Sequence, residues 1–98
     1  MAAILPYLVE FLGTFFFLSV IVATGQPVLI SLALLAVILL GGSVSGGHFN
    51  PAVSMMFWIK GTLSVVDMAA YIASQLAGGA AAYFAYTRFL APMRNSVF

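Results

Sequence analysis

A chain of 98 residues with three Lys/Arg and two Asp/Glu is 5% charged and 64% hydrophobic, at a mean hydropathy of +1.20. A water-soluble domain carries about a quarter charged residues, so this balance excludes a soluble globule, and the length allows one domain at most. A formal net charge of +1 without a Lys/Arg cluster excludes a nucleic-acid surface, and the absence of cysteine removes disulfides, thiolate metal sites and thiol catalysis.

The first apolar run covers residues 6–23, about 27 Å of helix, enough to cross a hydrocarbon core. It lacks a basic leading region and reads as a retained span rather than a cleaved signal peptide. Gly25-Gln26-Pro27 marks a turn. A second span covers 28–42 and meets Gly41-Gly42-Ser43-Val44-Ser45-Gly46-Gly47. Each of those glycines costs a helix about 1 kcal/mol relative to Ala, so fraying is expected across the cluster. Asn50 is a good N-cap and Pro51 suits the first helical position, which predicts a new helix over 51–60. Its length is about 15 Å, half a hydrocarbon core. Gly61-Thr62-Leu63-Ser64 is the next loop, and Ser64 or Asp67 caps a third span over 68–90. The tail from Ala91, with Pro92 and Arg94, reads as interfacial. The expected fold is an all-α membrane protein, residues 1–98, with three transmembrane helices and one re-entrant half-helix. Lys60 falls on one side of such a fold and Arg88 and Arg94 on the other, which leaves the positive-inside rule almost no bias and predicts insertion in both orientations.

Irregular backbone within a membrane survives only where protein buries it or a water-filled cavity solvates it, so the segment before Pro51 points to a pore or substrate site. An ionisable residue in hydrocarbon is costly and usually functional. Glu10 is one, and it reads either as an interfacial carboxylate or as an acceptor for the amides of the unwound segment. Gln75, on a face with Gly78, Gly79 and Ala82, is a second polar anchor. Asn50 reads as a bare cap, or as a cap whose amide nitrogen points into the space the half-helix faces; half-helix N-termini at the midplane recurrently build polar sites. Ala73, Ala77, Ala81 and Ala85 form a stripe suited to close helix approach. Phe15 to Phe17 face lipid or a neighbouring helix. His48 lacks the partners a metal site needs and is expected to hydrogen-bond locally. No nucleophile–base pair or carboxylate pair is present, so the expected protein is not an enzyme and needs no cofactor or metal.

Ser45-Gly46-Gly47-His48-Phe49-Asn50-Pro51-Ala52-Val53 resembles the first Asn-Pro-Ala box of aquaporins and aquaglyceroporins, the major intrinsic proteins. Glu10-Phe11-Leu12-Gly13-Thr14 resembles that family's first-helix signature, and Tyr71-Ile72-Ala73-Ser74-Gln75-Leu76-Ala77-Gly78-Gly79 its third-helix signature. The three motifs stand in the family's order between Ile4 and Tyr86. The resemblance implies a channel for passive permeation of water and small uncharged polyols such as glycerol. It implies that Asn50 donates its amide to the solute and that Pro51 and Ala52 stack on an opposing half-helix. Gly46, Gly47, His48 and Phe49 would line the lumen through backbone carbonyls, with Glu10 and Gln75 bracing the loop. Family members carry two inverted halves, and the second box places an arginine where Val53 stands here. Two antiparallel copies would then form a pore without the filter arginine, with Ile30 and Ile38 at an apolar constriction, and would cluster further as the family's tetramers do. The alternative is a non-conducting membrane interaction protein, or a fragment that pairs with another half.

Overall fold

The computed structural model describes residues 2–93, and among them every regular element is helical. A short 3-10 turn, Ala2–Ile4, leads into α1 (Leu5–Thr24). α2 (Pro27–Ser45), α3 (Pro51–Lys60) and α4 (Val65–Ala85) follow, and α4 continues as a π turn over Tyr86–Leu90. The boundaries follow local chemistry. Proline sits in the first turn of α1, α2 and α3, where its missing N–H goes unneeded. Gly25, Gly46 and Gly61 end the same three helices in the left-handed conformation that glycine adopts without a Cβ penalty.

Three helix ends differ from the sequence expectation. α2 does not fray at Gly41 but stays helical to Ser45 and breaks only at Gly46. The reason is close packing. A Cβ on Gly41 would stand 2.6 Å from a Val9 methyl, so the glycine lets α2 approach α1, and that contact outweighs its poor helix propensity. α4 begins at Val65 rather than 68 because the Ser64 hydroxyl accepts from the Asp67 amide, and its regular turns stop at Ala85 rather than 90. The Asp67 carboxylate is used elsewhere, accepting from the Tyr7 hydroxyl at 2.6 Å. Arg94 and the interfacial tail beyond it lie outside the described residues.

α1 is the central helix, packed along both α2 and α4, while α3 rests on α4. The register is legible in specific pairs. Tyr7 meets Asp67 and Tyr71, Glu10 meets Gln75, and a Cβ on Gly78 would stand 2.7 Å from the Phe11 carbonyl, so α1 and α4 run parallel. Only Gly25 and Gln26 separate α1 from α2, so the chain turns straight back and α2 packs antiparallel to α1, with Gly41 against Val9 and Ser45 against Glu10. α1 (20 residues) and α2 (19) are long and apolar enough to cross a membrane. α4 matches them in length with 21 residues and carries Asp67, Ser74 and Gln75.

The interior is polar and the exterior apolar. Glu10, Thr14, Ser45, His48, Ser54 and Gln75 are buried, while leucines such as Leu39 and Leu40 lie 73% and 82% exposed. In water that inversion would be ruinous. In hydrocarbon the apolar exterior is solvated by lipid tails and the polar groups satisfy one another.

Candidate functional site

The unwound turn between α2 and α3 is built around one carboxylate. Glu10 is fully buried on α1. Its Oε1 accepts from the Phe49 amide at 2.7 Å and from Gln75 Nε2 at 2.8 Å. Its Oε2 accepts from the Ser45 hydroxyl at 2.7 Å and from the His48 amide at 3.0 Å. Four donors fill the four acceptor positions of a carboxylate. Those bonds replace the hydration an isolated charge would lose on burial, a cost no membrane interior tolerates uncompensated. Two of the donors are backbone amides that the broken helix would otherwise leave orphaned.

Further hydroxyls complete the brace. Tyr71 donates to the Ser45 carbonyl at 2.8 Å, satisfying an acceptor freed by the end of α2. The Ser45 hydroxyl also accepts from the Gly47 amide at 3.1 Å. Gln75 Nε2 donates to the Ser54 hydroxyl at 2.9 Å, and Ser54 in turn lies 2.9 Å from His48 Nδ1. The His48 ring stacks on Phe57 with centroids 4.8 Å apart and leans on Tyr71 at 5.0 Å. Sequence reasoning assigned no role to Ser45, Ser54 or Tyr71. Tyr71 carried a signal, since it precedes Gln75 by one helical turn on the same face.

Phe49 is the one described non-glycine residue in the left-handed region, at φ 52°, and it is 2% exposed. That backbone costs an L-residue about 1–2 kcal/mol. The Glu10 bond to its amide and the burial of its ring offset the strain. The ring occupies the space beside Gly13, where a Cβ would overlap it outright, so Gly13 is the notch that seats the turn.

Past Phe49 the chain reaches the tip of α3. The Asn50 Oδ1 accepts from the Ala52 amide at 2.8 Å and so caps the half-helix. Asn50 is exposed, and its Nδ2 has no partner among the described residues. An open recess of about 450 Å³ lies against this tip, lined by Thr14, Phe17, Asn50, Pro51, Gln75 and Gly79. Thr14 and Phe17 are near the middle of α1, so the tip sits at about half the depth of that helix. Pro51 and Val53 are half-exposed and Ala52 exposed. Gly46 and Gly47 take φ of 89° and 69°, and Gly47 packs its backbone against Ile38. Ile38 is 41% exposed beside the turn, whereas Ile30 stands in the first turn of α2, about 12 Å away along the helix. The structure thus gathers Glu10, Gln75, His48 and Phe49 into one cluster and leaves Asn50 at its open edge. Ile30 is not brought to it. Among the described residues no three His, Cys, Asp or Glu side chains come together to hold a metal ion.

The recess presents an unpartnered side-chain amide and the positive end of a half-helix. Comparison with known proteins points to one family. A family profile described as Major intrinsic protein matches residues 3–97. The chain is 35% identical over 96 residues to Glycerol uptake facilitator protein-like 6 of Lactiplantibacillus plantarum, covering 89% of this chain and 44% of that one. It is 40% identical over 85 residues to Aquaporin Z of Photorhabdus laumondii, 71% of this chain and 37% of the relative. It is 45% identical over 85 residues to Aquaporin-8 of Rattus norvegicus, 76% and 32% respectively. The chain therefore spans less than half the length of these curated relatives. No solved structure gives a significant match.

Proposed function

The chain belongs to the major intrinsic protein family and is an integral membrane protein, and on that premise we propose that it forms half of a channel for water and small uncharged polyols. The observation that carries the reading is Asn50: a capped half-helix tip at half the depth of α1, with a free amide donor beside an open recess. In this reading α1, α2 and α4 each cross the bilayer, and α3 enters from the side where α4 begins and stops midway. A second copy, inverted about an axis in the membrane plane, covers the open face and brings its own Asn50 to the first. Lys60 on one side against Arg88 and Arg94 on the other leaves almost no charge bias, which supports insertion in both orientations.

Permeation then proceeds by exchange of hydrogen bonds. A solute leaves water, accepts from the Asn50 amides and donates to carbonyls of the glycine turn, while Ile38 keeps the opposite wall apolar. Two half-helix N-termini each present about +0.5 charge at the midplane, which disfavours cations and hydronium there. With Val53 where the family's second box has arginine, both mouths lack that cation and its bulk, so the filter admits glycerol as well as water. The chemistry is passive transport, with no bond made or broken.

Vesicles reconstituted with this chain alone test the reading. Water and glycerol fluxes well above the lipid background are expected. Fast water flux with glycerol at background would contradict the wide filter. Flux that appears only with a second, different half would favour pairing with another chain, a reading in keeping with relatives more than twice as long.

A further inference from the structure

The cluster around the unwound turn leaves one proton to be placed, and the hydrogen-bond partners decide where it goes. Ser54 is fully buried and meets two nitrogens, Gln75 Nε2 and His48 Nδ1, each at 2.9 Å. A side-chain amide nitrogen only donates. The Gln75 amide is itself oriented without ambiguity, because the same Nε2 faces the Glu10 carboxylate, which only accepts. Ser54 therefore accepts from Gln75, and its own hydroxyl hydrogen needs an acceptor. His48 Nδ1 is the one in reach among the described residues. Were Nδ1 protonated, Ser54 would accept twice and its buried hydrogen would have no partner, which buried polar groups avoid.

Donation thus runs from Gln75 through Ser54 to His48, and the neutral imidazole carries its hydrogen on Nε2. Nε2 bonds to no described residue, and it is not sealed in. Among the described residues the buried side-chain atoms without partners are Thr14 Oγ1 and Gln75 Oε1, and Nε2 is not among them. It lies 3.3 Å from the place where a Cβ on Gly46 would stand, and Gly46 is exposed. His48 is 8% exposed, and its Nε2–H is left accessible beside the glycine turn, separate from the Asn50 amide at the tip.

We propose that Gln75 and Ser54 are positioning residues acting through His48: they hold its ring in the Nε2–H tautomer, so that it donates a hydrogen bond to the hydroxyl oxygen of an uncharged polar solute passing the glycine turn. The solute's part rests on the channel reading. The tautomer does not, and the two are measured separately.

His48 is the only histidine in the chain, so its ring gives one unambiguous pair of signals. Nitrogen-15 NMR of histidine-labelled protein in bilayers above pH 8 is expected to show a protonated Nε2 and an unprotonated Nδ1. Ser54→Ala should mix the two tautomers, and Ser54→Thr, which keeps the hydroxyl, should restore the native pattern. In vesicles, His48→Phe retains a ring against Phe57 but loses the donor, and should lower glycerol flux several-fold while water flux falls less. A proton on Nδ1 in the native chain overturns the relay. Equal losses of water and glycerol flux in His48→Phe, or none, overturn the solute contact. A native chain that passes neither solute defeats the channel reading at the control vesicles, and the solute contact with it, whatever the NMR spectrum shows.

Discussion

At Asn50 two tasks are divided between two atoms of one side chain. Oδ1 caps α3, and Nδ2, without a partner among the described residues, remains for the recess that Asn50 lines. Aspartate caps a helix about as well as asparagine, so Asn50→Asp separates the tasks: the fold stays and the donor becomes a negative charge. That charge would oppose the half-helix dipoles where they repel cations. The expected result is a several-fold rise in cation and proton leakage through reconstituted vesicles, read with a pH-sensitive dye, at unchanged thermal stability. Unchanged leakage would mean that the dipoles are not the barrier. Glu10 and Gln75 were legible as polar anchors because such groups in apolar spans are costly without partners, although Glu10 also read as an interfacial carboxylate. The hydroxyls of Ser45, Ser54 and Tyr71 were not. Their partners lie 26 residues away for the Tyr71–Ser45 bond and 21 for the Gln75–Ser54 bond. Such pairings depend on the rotation of packed helices, which no local pattern encodes.

The elements show where propensity decides and where packing overrides it. α3 was readable to the residue, since Asn50, Pro51 and Gly61 are start and stop signals that act within one turn. The end of α2 was not, because Gly41 is dictated by Val9 on another helix. The start of α4 lies between these cases. Ser64 and Asp67 were both plausible caps, and the structure uses the Ser64 hydroxyl for the Asp67 amide at 3.0 Å. Ser64→Ala should cost about 1 kcal/mol of stability, measured as unfolding of the purified protein in mild detergent. Asp67→Asn should leave that cap intact and weaken the Tyr7 contact instead. A larger loss from Asp67→Asn than from Ser64→Ala would show that the Tyr7 bond, not the cap, holds the α1–α4 entry.

On the scale of the whole molecule, the polar cluster is closed on three sides by α1, α2 and α4 and open at the half-helix tip. An exposed Asn50 and Ala52 beside the recess face, in a bilayer, lipid, a water-filled cavity or a matching surface. Lipid cannot satisfy the free donor and the carbonyls of the turn. In the proposed dimer a second copy related by a two-fold axis would offer the same groups in inverted order, and each tip would bury the other. In that dimer two copies of this chain would meet tip to tip. Because the chain has no cysteine, Ala52→Cys introduces a single thiol at the exposed tip. The deciding measurement is a short bismaleimide crosslink of this variant in vesicles, with water flux recorded before and after. A covalent dimer and loss of flux on crosslinking are expected. Flux that persists through a chain that stays monomeric at full thiol modification would contradict the tip-to-tip dimer.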